Sequence, residues 1–76
     1  MSKITPVHWR KFEKFLKYVG CEYKRTKGDH LIYKRSDLKR PVVIPKDTEI
    51  PVFVIRNNLR LLRIDHGEYL EIMRRL

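Results

Sequence analysis

Apolar positions in the first third of the chain follow a helical rhythm. Trp9, Phe12, Leu16 and Val19 recur at steps of three and four, which makes one face of a helix. Phe15 and Tyr18 widen that face, while Arg10, Lys14 and Lys17 repeat with the same period on another side. Thr5 as cap and Pro6 at the first helical position predict the start. Gly20 predicts a left-handed end. Helical spacing assigns the aromatic stripe to a core rather than to a platform for nucleobases.

The rhythm changes after Gly20. Glu22 to Thr26 and Leu31 to Arg35 predict two strands, with Tyr23, Ile32 and Tyr33 as strand formers and Lys27-Gly28 as the turn between them. Ser36 to Arg40 is a second polar turn. Pro41 to Pro45 encloses Val42, Val43 and Ile44, a short third strand with prolines at its ends. Three strands on short connections predict an antiparallel meander. Lys46 to Ile50 reads as polar linker. Pro51 opens a second helix with Val52, Ile55, Leu59 and Leu62 as its buried stripe and Arg56, Arg60 and Arg63 beside it. Asp65 with Glu68 three residues on predicts a capping box. It introduces a short last helix with an apolar face of Tyr69, Ile72, Met73 and Leu76. No internal repeat or low-complexity segment is visible. The expected fold is α+β, a two-layer α-β-β-β-α arrangement with a short extra C-terminal helix. Its helices should cover one sheet face and leave the other open.

Composition narrows the class. A chain of 76 residues predicts a single domain over residues 1–76. It buries roughly 60–65% of its unfolded surface, enough for one modest core. Hydrophobic residues at 42% support folding, which excludes compositional disorder. Lysine plus arginine outnumber the acids 18 to 9, for a net charge of +9. Such a surplus attracts phosphates. The single Cys21 allows no internal disulfide and reads as a small buried hydrophobe. The lack of disulfides fits a reducing cytoplasm. No apolar run approaches the roughly 18–20 residues of a membrane span, and no signal peptide is expected around Met1 to Thr5.

Candidate chemistry centres on Lys27-Gly28-Asp29-His30. His30 sits where a strand can present it, and Lys24, Arg25, Lys27, Lys34 and Arg35 crowd it. A base inside a cationic surface points to chemistry on a polyanion, RNA or DNA. RNA can be cut without a metal, because its 2′-hydroxyl can attack the adjacent phosphorus once a base removes its proton. Histidine titrates in the range that such a base needs. His8, in the predicted first helix, and His66, beside a helix cap, are expected to be surface residues. The carboxylates are scattered, which argues against a two-metal nuclease, and no Cys-His set has zinc spacing. No cofactor is expected. The alternative is a non-catalytic RNA-binding module, and a third class is a protein-interaction domain with an acidic partner.

The run from Val19 to Tyr33, with Gly20, the basic Lys24-Arg25, then Gly28-Asp29-His30 and Tyr33, resembles the HicA (YcfA-like) toxins of toxin–antitoxin systems. Val42-Val43-Ile44-Pro45 and the segment from Leu59 to Leu70 are similar to later parts of that family. The resemblance implies a double-stranded-RNA-binding-domain-like fold and a ribosome-independent mRNA interferase. It implies His30 as the catalytic histidine of a Gly-Ser-His motif, with Gly28 as the motif glycine. RNA-binding residues are expected at Lys24, Arg25, Lys27, Gly28, Lys34 and Arg35. It also implies mRNA as substrate and a HicB-like antitoxin that covers the active site. Asp29 stands where the family usually has serine, and Lys46-Asp47 follows Pro45 where members often have histidine. A carboxylate at position 29 repels a phosphate.

Overall fold

The computed structural model describes residues 3–76. The elements run α1 (Trp9–Tyr18), β1 (Glu22–Lys27), β2 (His30–Lys34), β3 (Val42–Pro45), α2 (Val52–Leu62) and α3 (His66–Arg75). The predicted α+β order is therefore found. The strands form one antiparallel sheet in the order β1-β2-β3. Strand alternation sorts its two faces. Leu31 and Tyr33 of β2 and Val42 and Ile44 of β3 enter the core beneath the helices. His30, Ile32 and Lys34 take the opposite parity and face away from it.

The core joins the three helices to that inner face. Phe12, Phe15 and Leu16 of α1 are fully buried, as is Ile55 of α2. A buried leucine such as Leu16 is worth about 2–5 kcal/mol relative to alanine. Tyr69 of α3 stands edge-on to Phe15 at 4.9 Å between ring centroids, which docks α3 on α1. The last helix spans 10 residues, the same as α1, so it is a full member of the layer rather than a short appendage. Asp65 caps it as expected, with Oδ1 accepting from the Glu68 backbone N–H at 2.7 Å. Gly20, at φ +94°, ends α1, and Cys21 N–H donates back to Leu16 O at 2.9 Å. Among the described residues no helix is long and apolar enough to cross a membrane.

Several expectations need correction. The first helix begins at Trp9, not at Pro6, and His8 is its cap: the imidazole Nδ1 accepts from the Arg10 backbone N–H at 3.1 Å. Val7 instead bridges Ile50, whose N–H donates to Val7 O at 2.7 Å. Ile50 is fully buried and Ile4 nearly so. Burying these two isoleucines holds the preceding segment against the fold, which overrides the local helix-start signal at Thr5-Pro6. The supposed polar linker thus ends in a core residue. Tyr18 does not widen the buried face; it is exposed, as is Phe53 of α2. The first turn is Gly28-Asp29 rather than Lys27-Gly28, because Lys27 pairs with His30 across it.

Candidate functional site

The hairpin between β1 and β2 positions the candidate histidine. Its loop is two residues long, and Gly28 takes φ +63°, a conformation that costs glycine little. Lys46 N–H donates to Asp29 O at 2.8 Å, which ties the loop to the end of β3. His30 then opens β2, flanked in the sheet by Lys27 on β1 and Pro45 on β3. Both neighbours share its face. The His30 side chain is 51% exposed, so about half of it is open to solvent. Its Nδ1 lies 2.9 Å from Asp29 Oδ1.

A break in register shapes the rest of this face. Tyr23 pairs with Tyr33, but Arg25, two residues on, pairs with the adjacent Ile32. The extra residue is a bulge at Lys24. As a result Lys24 and Arg25 both line a shallow depression floored by Ile32, with Lys34, Leu38, Lys39, Arg40 and Pro41 around it. The depression is about 210 Å³. Ile32 is buried even though it lies outside the main core, because long basic side chains can lay their apolar stems over it. His30 is two residues along β2 from Ile32, roughly 7 Å at strand spacing. The open face therefore carries a histidine at the hairpin end and a cationic bowl beside it.

Most expected site residues meet here. Lys24, Arg25, Lys27, Gly28, His30 and Lys34 share the hairpin and its open face. Arg35 is differently placed. Its Nη1 donates to Val19 O at 2.8 Å, and its Nε and Nη2 donate to the two Asp37 oxygens at 2.7 and 3.1 Å. It also skirts the bowl, but its guanidinium is committed to holding the end of α1 and the β2–β3 loop together. The hydrogen bond to Asp37 raises the Arg35 pKa further, and the Arg35 guanidinium holds Asp37 below the usual carboxylate range. Lys39 and Arg40, which sequence reasoning left in a polar turn, join the cationic face. The signal was their position just before Pro41, where the chain returns to the sheet.

Several other titratable groups lie elsewhere in the fold. His8 is a helix cap, and His66 is the exposed first residue of α3. Burial pushes the Cys21 thiol up. Burial, then the hydrogen bond to Glu13, pushes the Tyr33 phenol up, and that bond ties β2 to α1. Among the described residues no group of three or more His, Cys, Asp or Glu side chains gathers closely enough to hold a metal ion.

Comparison with known proteins adds one finding to this geometry. No curated protein and no solved structure gave a match. A family model for the HicA toxin of bacterial toxin–antitoxin systems matches residues 9–64, from the first residue of α1 to just past the end of α2. That span includes the whole sheet, the hairpin and the cationic bowl, and with it the chain belongs to the HicA toxin family.

Proposed function

We propose that this toxin acts as an endoribonuclease on mRNA without a metal, with His30 as its general base. The observation that carries the reading is a half-exposed histidine at the edge of a strongly cationic sheet face. In that reading Lys24, Arg25, Lys27 and Lys34, joined by Lys39 and Arg40, hold successive phosphates of a single strand. Lys27, beside His30 in the sheet, offsets the charge that builds on the phosphoryl oxygens. The imidazole Nε2 takes the proton of a 2′-hydroxyl, and that oxygen attacks the adjacent phosphorus. The bond to the 5′-oxygen breaks, and the leaving oxygen takes a proton from water. The product is a 2′,3′-cyclic phosphate and a free 5′-hydroxyl. One positioned base contributes about 10²–10⁴ in rate, so turnover should be slow, which suits a toxin. Arg35 is assigned to the scaffold, where its donors are already used. A toxin of this family implies an antitoxin partner, and a HicB-like protein with an acidic surface that covers the His30 face would block RNA entry.

The test is cleavage of a long unstructured RNA by purified wild type and His30→Ala in the presence of EDTA. Wild type is expected to yield cyclic-phosphate ends, and His30→Ala to bind the RNA with near-normal affinity without cutting it. Equal rates for the two proteins end the assignment of His30. Activity lost on adding EDTA ends the metal-free route. Binding by wild type with no product identifies a non-catalytic RNA-binding module instead.

A further inference from the structure

His30 has a partner. Asp29 Oδ1 lies 2.9 Å from His30 Nδ1, and a carboxylate oxygen that close favours a proton on Nδ1 over a bare nitrogen lone pair there. The Asp29 backbone is itself fixed, because its carbonyl accepts from Lys46 N–H at 2.8 Å and the two-residue loop leaves it little freedom. On the other side His30 is bracketed by Lys27 and Pro45 in the sheet. We propose that Asp29 is a positioning residue. It holds neutral His30 in the Nδ1–H form and so leaves Nε2 as the free, proton-accepting nitrogen. The proposal rests on the reading of His30 as the base and adds the group that orients it.

The same carboxylate has a cost. It is 83% exposed and stands on a face meant for phosphates, so it repels substrate as it orients the ring. Its two effects act on different kinetic constants. Loss of orientation lowers kcat, whereas loss of repulsion lowers KM. A residue that only repelled RNA would show the second effect alone. A residue that only closed the turn would alter stability and leave the imidazole proton where it was. Because the pair is solvent-exposed, the orienting effect should be on the order of tenfold in kcat, well short of the ~10⁴ seen for a buried Asp–His pair.

The experiment compares wild type with Asp29→Ala by two measurements. The first is the ¹⁵N spectrum of the imidazole ring at a pH where His30 is neutral, which reports which nitrogen carries the proton and does not depend on cleavage. Wild type is expected in the Nδ1–H form, and Asp29→Ala is expected to shift toward Nε2–H. The second is steady-state cleavage, where Asp29→Ala should lose about tenfold in kcat with an unchanged or lower KM. The same proton position in both proteins overturns the proposal, as does an unchanged kcat in an active enzyme. If His30 proves not to be the base, the spectrum still decides whether Asp29 sets its tautomer, so the two failures are separable.

Discussion

Arg35 and Asp37 form a two-pronged ion pair, Nε to Oδ1 at 2.7 Å and Nη2 to Oδ2 at 3.1 Å, across the start of the β2–β3 loop. Nη1 of the same guanidinium reaches Val19 O at 2.8 Å. One side chain thereby ties the end of α1 to the loop that carries Lys39 and Arg40. Planar, forked donors make this possible, and lysine cannot replace them.

The pair gives stability a definite pH dependence. Arg35 holds the Asp37 pKa below its ordinary value of 3.8. A depressed acid contributes stability that is fully present above its unfolded pKa and lost as pH falls through the folded one. Asp37→Asn should therefore melt below wild type at neutral pH, and the two melting curves should converge as pH falls to where Asp37 is protonated in the folded protein. A gap that stays constant down to that pH would remove the ion pair as its cause. Arg35→Lys should lower the melting temperature also, with little effect on RNA affinity.

A second prediction concerns a buried hydroxyl. Tyr69 is 2% exposed, and its OH has no hydrogen-bond partner among the described residues. Burial pushes its pKa up to about 12. The ring packs edge-on against Phe15, and that contact does not use the hydroxyl. Tyr69→Phe keeps the ring and removes an unpaired polar atom whose desolvation costs about 1–3 kcal/mol. The variant should melt at or above the wild-type temperature. A lower melting temperature would reveal a partner for the hydroxyl.

Local patterns in the sequence carried much of this architecture. The α1 stripe through Phe12 and Leu16, the glycine at its end and the Asp65 cap each depend on neighbours a few residues away. Period and capping chemistry therefore sufficed. The start of α1 did not follow, because Thr5-Pro6 has the right local chemistry but Val7 is claimed by Ile50, more than forty residues on. Arg35 looked like one more cation in a basic run until Val19 and Asp37 were brought to it. His30 and its basic neighbours were legible because two strands and a tight turn place them by register alone. The bulge at Lys24 and the entry of Lys39 and Arg40 were not, since both depend on how the strands pair and how the loop folds over Ile32.

The cationic bowl makes a prediction of its own. Affinity for single-stranded RNA should fall linearly with salt in log–log form, with a slope of roughly 0.7 per phosphate neutralised. Lys39→Ala with Arg40→Ala should flatten that slope about as much as Lys27→Ala with Lys34→Ala. A slope untouched by the first pair would confine the RNA path to the strands. An affinity independent of salt would assign the charge to another partner.

Gly28 separates the needs of the fold from those of the substrate. Its φ of +63° is strained for a residue with a side chain, but a Cβ built there meets nothing within 4 Å. Gly28→Ala therefore pays only for the backbone, about 1–2 kcal/mol, and should lower the melting temperature by several degrees. Asparagine tolerates this region better, so Gly28→Asn should melt above Gly28→Ala. That open space belongs to the hairpin loop that precedes His30, and in the proposed reaction an RNA backbone would approach there. If the substrate uses it, both variants lose cleavage, and asparagine, being larger, loses at least as much despite its greater stability. The order of stability and the order of activity would then be opposed. A Gly28→Asn protein with wild-type kcat/KM would show that the glycine serves the turn alone.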